Sequence, residues 1–397
     1  MATVHVRSGH VQPIWAGHPW VFAQAIERVE GAPAPGQEVR VVDPRGRFLG
    51  RGFWSPRSAI PVRILERDPR VEALDHAWFG RRIEAAARWR AEVLGLPGEE
   101  TTGYRLVHAE GDGLAGLVVD VYGDVAAVQL LTLGMKQRED DVFAHVARVT
   151  GVRSIVEVPS PHGQRIEGFE VELGVVRGPD VQELHFRERG FEFRIPLSLA
   201  QKTGYYFDQR ENRALCERLA RGRRVLDAFC YVGGFSLAAA RGGAREVVAL
   251  DASADIVTLA AGHVHAHGYG ERVQVARADL RRALRQMAQE GERFDLVVAD
   301  PPKLAPSSRH LPRGRQAYRR LNAAAVSLLA PGGLLLTCSC SAAMDPATFQ
   351  RTVALAARDA GRQVVLLQEG SQGPDHPVPL AFPDGRYLKC LLARVVD

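Results

Sequence analysis

From about residue 197 onward the chain repeats one unit: a short apolar run, a turn, then a helix-length stretch. The apolar runs read "RVLDAF", "EVVALD", "VQVARAD", "FDLVVADPP" and "GGLLLTCSCS". Strands alternating with helices at this length cannot pair by hairpins and require crossover connections. They therefore predict a parallel sheet with helices on both faces. In such sheets ligands gather at the carboxyl ends of the strands, and that rule sorts the residues that follow.

Acidic residues recur at those ends: Asp227, Asp251, Asp279 and Asp300. A carboxylate is costly to bury without a partner, so four along one sheet edge imply a ligand rich in hydroxyl, amino and cationic groups. S-adenosylmethionine (SAM) has those groups and no phosphate. Gly233 and Gly234, in "DAFCYVGGFS", let the backbone approach a ligand, and the helix amides after them suit its carboxylate. The loop is not GxGxxG, which removes the best signal for a dinucleotide. Asp251 stands where an acid meets ribose hydroxyls, and Asp279 with the backbone of Leu280 is expected at adenine. Each Asp alone reads equally well as a helix cap or turn residue.

"ADPPK" puts Asp300, Pro301, Pro302 and Lys303 at the end of the fourth run. Tandem prolines stop a strand and leave a carbonyl free to accept from a base amine. "LLLTCSCS" adds a thiol. Carbon 5 of cytosine is a poor nucleophile until a thiolate adds at carbon 6, so a cysteine beside a methyl donor is what cytosine-5 methylation needs. Cys338 and Cys340 share one strand face, and Cys340 is nearer the strand end. Cys340 is the expected nucleophile, Cys338 a wall or core residue, and Asp300 the group that meets N3 and N4 of the base. Nitrogen methylation without covalent catalysis, and an RNA-binding assembly factor that retains a SAM pocket, stay open beside this reading.

At 397 residues with 46% hydrophobic content the chain has room for several cores. The expected domains are residues 1–72, 73–190 and 191–397. The first holds alternating runs such as "QEVRVVD" and "AIPVRILE", as in a small β-barrel. The second joins the helix "HAWFGRRIEAAARWRAEVLG" to strands such as "GLVVDVYG", an α+β pattern. An odd number of cysteines (five) argues against a disulfide framework, and no CxxC pair joins a histidine cluster, so no metal is expected. With no apolar leader or membrane-length run, the expected location is the cytoplasm. Net charge is +5, a mild excess that permits a polyanion. Its densest basic run, Ser307 to Leu321, directly follows DPPK, so Arg309, Arg313, Arg315, Arg319 and Arg320 are candidate phosphate contacts. Trp15, Trp20, Phe22 and Trp54 could stack on bases or belong to the core.

With these residues in hand, the whole chain resembles the RlmI-type 23S ribosomal RNA (cytosine-5) methyltransferase family. The likeness runs through "GHPWVF", "EGDGLAGLVVDVYGD", "QKTGYYFDQRENR", "DAFCYVGGFS", "DPPK", "SCS" and "DHPV…YLK", in that order. It implies a class I SAM-methyltransferase (Rossmann-like) α/β sheet, with an N-terminal PUA β-barrel and a small α+β central domain. It implies SAM as cofactor and 23S ribosomal RNA as partner, with no membrane and with a homodimer as an open alternative. It also implies that Lys202, Tyr206 and Asp208 lie beside the cofactor and that Cys340 is the motif cysteine. The continuation "LAPSSRHLPRGRQ" after DPPK departs from the family's usual Phe-containing one.

Overall fold

The computed structural model describes residues 1–396, and of His162 only the backbone. Two compact units divide the chain: Met1–Phe207 with Pro374–Gly385, and Asp208–Gly373 with Arg386 onward.

In the first unit, a mixed six-stranded sheet takes strands from residues 2 to 66. Its core alternates as half-buried strands require, with Val4, Val6, Val39, Val41, Val62 and Ile64 turned inward. The helix His76–Leu94 begins where Asp75 accepts a hydrogen bond from the Trp78 amide. It ends at Gly95, whose φ of 63° is the left-handed conformation that closes helices. This helix buries Trp78, Phe79 and Ile83 against a five-stranded sheet formed by residues 103–177. A separate hairpin pairs Glu183–Glu188 with Phe191–Pro196. Phe53 and Leu65 of the first sheet join the central core, so one apolar cluster spans both parts of the unit.

The second unit carries a seven-stranded sheet: β1 Arg224–Asp227, β2 Glu246–Asp251, β3 Val273–Arg277, β4 Phe294–Ala299, β5 Leu329–Ser339, β6 Val364–Gly370 and β7 Lys389–Val395. The order is β3-β2-β1-β4-β5-β7-β6; β7 runs antiparallel to β5 and β6, and the rest are parallel. The helices are α1 Arg210–Leu219, α2 Gly234–Arg241, α3 Ala254–Ala266, α4 Leu280–Gln289, α5 Leu311–Ser327 and α6 Pro346–Asp359. β1 and β4, neighbours at the point where the strand order reverses, bury Val225, Leu226, Val297 and Val298 completely. Their carboxyl ends are therefore rigidly fixed at the crevice where such sheets hold ligands. Among the described residues, no helix is long and apolar enough to cross a membrane.

Candidate active site

Asp227 closes β1 and is 1% exposed. One carboxylate oxygen accepts from Ser236 Oγ of α2 at 2.6 Å, and the other makes no hydrogen bond. Burial pushes this carboxyl up to about 6; the Ser236 hydrogen bond opposes the shift and the Asp251 charge adds to it. Between β1 and α2 the chain turns through Tyr231 and Gly233, both at positive φ (46° and 90°). Asp251 closes β2; its two oxygens accept from the amides of Tyr231 at 3.2 Å and Ser253 at 3.0 Å. Asp279 caps α4 by accepting from the amides of Arg281 and Arg282, and Leu280, buried, is the first residue of that helix. A half-satisfied buried carboxylate facing a second acid calls for a ligand that brings hydrogen-bond donors and positive charge. The ribose hydroxyls and ammonium of SAM meet that demand, and a pyrophosphate would not.

β4 delivers Asp300, which is half-buried, followed by buried Pro301 and exposed Pro302 and Lys303. β5 ends at Ser339, so Cys340 is the first residue beyond the strand instead of its last. It is half-buried, whereas Cys216, Cys230, Cys338 and Cys390 are buried. Cys338 pairs across the strands with Cys390, their sulfurs 3.2 Å apart, and lies 3.9 Å from Gln209 Oε1. Contact with Cys390 and burial hold the Cys338 thiol well above its ordinary range. Burial does the same to Cys216 and Cys230. Those three thiols are inert packing groups.

The loop bearing Cys340 is held through its neighbour Ser341. The Ser341 hydroxyl accepts from the amide of Ala305, just after DPPK, at 3.0 Å and shares a 3.1 Å hydrogen bond with the Tyr318 hydroxyl of α5. The Ser341 carbonyl accepts from Lys389 Nζ at 2.7 Å. Three segments therefore converge on the residue next to the thiol. Gly314 lets α5 lie against the DPPK loop, since a Cβ there would stand 2.5 Å from Ala305 Cβ.

The other expected positions divide between the units. Lys202 and Tyr206 belong to the first, with Lys202 Nζ 4.4 Å above the Tyr206 ring. Asp208 belongs to the second, where it is buried and accepts from the Tyr387 hydroxyl at 2.6 Å. Arg313 and Arg315 are exposed on α5, while Arg319 is engaged by Asp359 in two 2.6 Å contacts. Trp15 is exposed, and Trp20 donates to Glu110 at 2.8 Å and packs edge-on against Phe382. The "EGDGL" segment proves to be an anchor. Asp112 grips Arg90 and accepts from the His108 amide, and Arg90 also donates to the Asp375 carbonyl at 2.8 Å. Sequence reasoning missed Lys389 and Gln209 as residues of the site; both sit inside segments it had singled out, "YLK" and "YYFDQR".

Fold and site together define a SAM-dependent methyltransferase. The family description for S-adenosylmethionine-dependent methyltransferases matches residues 173–379, and that for a PUA-like domain matches residues 4–67. The chain is 39% identical over 395 residues to the ribosomal RNA large subunit methyltransferase I of Shewanella denitrificans, covering 99% of both chains. It is 37% identical over 396 residues to the protein of the same name from Aeromonas hydrophila, again over 99% of both. SMU.776, a methyltransferase crystallised with SAH, matches over 100% of both chains with a TM-score of 0.86 at 20% identity, a likeness of fold. The chain belongs to the family of ribosomal RNA large subunit methyltransferase I.

Proposed function

We propose that the protein methylates carbon 5 of a cytosine in 23S ribosomal RNA, in the cytoplasm, through a covalent adduct on Cys340. The observation that carries the reading is Cys340 itself: of five cysteines it is the one not buried, and it lies one residue beyond the end of β5, the strand that pairs with the β4 strand leading into Asp300. The names of the full-length relatives supply the substrate class.

In this reading Asp227 and Asp251 take the donor groups of the cofactor, Gly233 and Gly234 admit it close to the backbone, and Asp279 with Leu280 borders its adenine. SAM, when bound, supplies an electrophilic methyl group. The Cys340 thiolate adds to carbon 6 of the base, which makes carbon 5 nucleophilic. Asp300 accepts from the N4 amine with one oxygen and donates a proton to N3 with the other, which neutralises the charge that addition of the thiolate places on the ring. Carbon 5 takes the methyl group and SAH is left; a base, the Asp300 carboxylate or a water, then takes the carbon-5 proton, the electron pair of that bond re-forms the C5–C6 double bond, and the carbon–sulfur bond breaks to return the thiolate. Pro301, Pro302 and Lys303 border the base, and Arg313 and Arg315 take flanking phosphates. Extruding a stacked cytosine costs on the order of a few kcal/mol, which such contacts offset.

The test is Cys340→Ala with 23S ribosomal RNA from cells lacking the gene, read by nucleoside mass spectrometry. Wild type should form 5-methylcytidine and the variant none. Near-normal methylation by the variant, or a methylated guanine or exocyclic amine as product, would instead establish the non-covalent nitrogen reaction. RNA binding with no methyl transfer by wild type would leave only an assembly factor.

A further inference from the structure

Lys389 opens β7, opposite Ser339, the last residue of β5. It is 5% exposed, and its Nζ donates to two backbone carbonyls at 2.7 Å, those of Ser341 and Tyr387. Among the described residues, no carboxylate lies within ion-pair distance of it. A buried ammonium without a counter-ion is costly, so its retention needs a reason other than stability. The charges that act on it are those of Cys340 just beyond β5, Asp345 before α6 and Lys303 after DPPK. The Cys340 charge also acts on the Tyr318 hydroxyl of α5, and the Asp300 charge acts on Cys338 of β5. Two N–H bonds are directed at fixed carbonyls, so Nζ can neither swing away nor exchange partners freely. Its charge is pinned one peptide from the thiol.

We propose that Lys389 is a positioning residue for Cys340, fixing the loop through the Ser341 carbonyl and holding the sulfur as a thiolate by its charge. The proposal rests on the cytosine-5 reading above. Addition to carbon 6 needs a thiolate, and an ordinary cysteine is only a few per cent ionised near neutral pH. Burial lowers Lys389 to about 8, a value the Cys340 charge acts to raise and the Lys303 charge to lower. Below that pH the side chain is the cation the thiolate requires.

The experiment is alkylation of the full-length protein with iodoacetamide from pH 5.5 to 10, with Cys340 followed by peptide mass spectrometry. The other four cysteines are buried, so the native protein reports on this one. Wild-type Cys340 should react with a midpoint below the ordinary ~8.5 of a thiol. Lys389→Met should raise that midpoint by about one unit and slow the reaction near pH 7 about tenfold, because only the thiolate is alkylated. Lys389→Arg, which keeps the charge, should restore most of the difference. A wild-type midpoint at or above ~8.5 overturns the proposal without any variant, even if Lys389→Met fails to fold. An unmoved midpoint in a folded Lys389→Met protein overturns it as well. Both results leave the nucleophile untouched, whose own test is methyl transfer by Cys340→Ala; activity retained there removes the basis for the proposal and the covalent reading together.

Discussion

Asp227→Asn probes the pH-dependent cost of keeping a carboxylate in the core. The amide has the same shape and its oxygen can still accept from Ser236 Oγ, while its NH2 replaces the oxygen that makes no hydrogen bond, a cost that does not change with pH. In the folded protein burial moves the carboxyl from 3.8 to about 6. Below pH ~3.8 both folded and unfolded chains carry the proton and no penalty exists. As pH rises from there to ~6 the folded state holds a proton that the unfolded state has released, so stability falls, and above ~6 the full penalty applies. At 1.36 kcal/mol per pH unit that penalty is about 3 kcal/mol at pH 7.5 and about 1.5 kcal/mol at pH 5. Relative to wild type the variant should therefore gain about 1.4 kcal/mol of stability between pH 5 and pH 7.5, and SAM should stabilise it less than it stabilises wild type. The assay follows from the distribution of residues. All five tryptophans lie between residues 15 and 89, in the first unit, while all five cysteines lie in the second. Urea unfolding of the second unit is read by labelling of Cys216, Cys338 and Cys390, comparing the two proteins at the same pH. An Asn variant whose stability relative to wild type does not rise from pH 5 to pH 7.5 would refute the reasoning.

Two further outcomes follow from the same contacts. Arg90→Met should destabilise the first unit by about 3–5 kcal/mol, since it strands the largely buried Asp112 without its cation; urea unfolding followed by tryptophan fluorescence measures it, and a loss under ~1 kcal/mol would contradict the buried pairing. Ser341→Ala should cost about 1–3 kcal/mol from two unsatisfied buried groups, and by loosening the Cys340 loop it should lower kcat by roughly 10–100-fold with KM for SAM unchanged; steady-state kinetics at saturating RNA decides this, and a rise in KM alone would mean the loop serves cofactor binding instead.

The parts of this structure that were legible in the sequence are those with a local period. Strand and helix alternation after residue 197 reports buried parallel strands, because both faces of β1 and β4 are covered and Val225–Leu226 and Leu296–Ala299 run apolar and buried up to the strand ends. Asp227, Asp251 and Asp300 stand out because they interrupt those runs. Asp279 shows the limit of the method: an acid at a strand end and an acid at a helix cap occupy the same place in the chain, and here the capping bonds are plain. Long-range events were not legible. Nothing local says that Pro374–Gly385 returns to the first unit, where Asp375 accepts from the Arg105 amide at 3.0 Å across 270 residues of sequence. "EGDGL" carries the look of a functional signature, yet Asp112 and Glu110 are engaged by Arg90 and Trp20. Lys389 was invisible for a related reason. A lysine in a motif reads as a surface contact until the structure puts two carbonyls on it.

Cys338 and Cys340 make the general point within three residues. Strand alternation gives both the same face, and composition gives both the same thiol, so neither pattern nor chemistry alone separates them. The separation comes from what ends between them. β5 still pairs with β7 at Cys338, which sets its sulfur against Cys390 in an apolar contact where ionisation is disfavoured. One residue past the last strand pair, the backbone of Cys340 leaves the sheet, the residue becomes half-buried, and the Lys389 ammonium is held on the carbonyl of the next residue, Ser341. The price is lost ladder rigidity, and the hydrogen bonds to Ser341 from Ala305, Tyr318 and Lys389 replace it. A thiol just past a strand end can thus be both accessible and fixed only where neighbouring segments supply the bonds the sheet no longer makes, as the DPPK loop, α5 and β7 do by meeting at one serine.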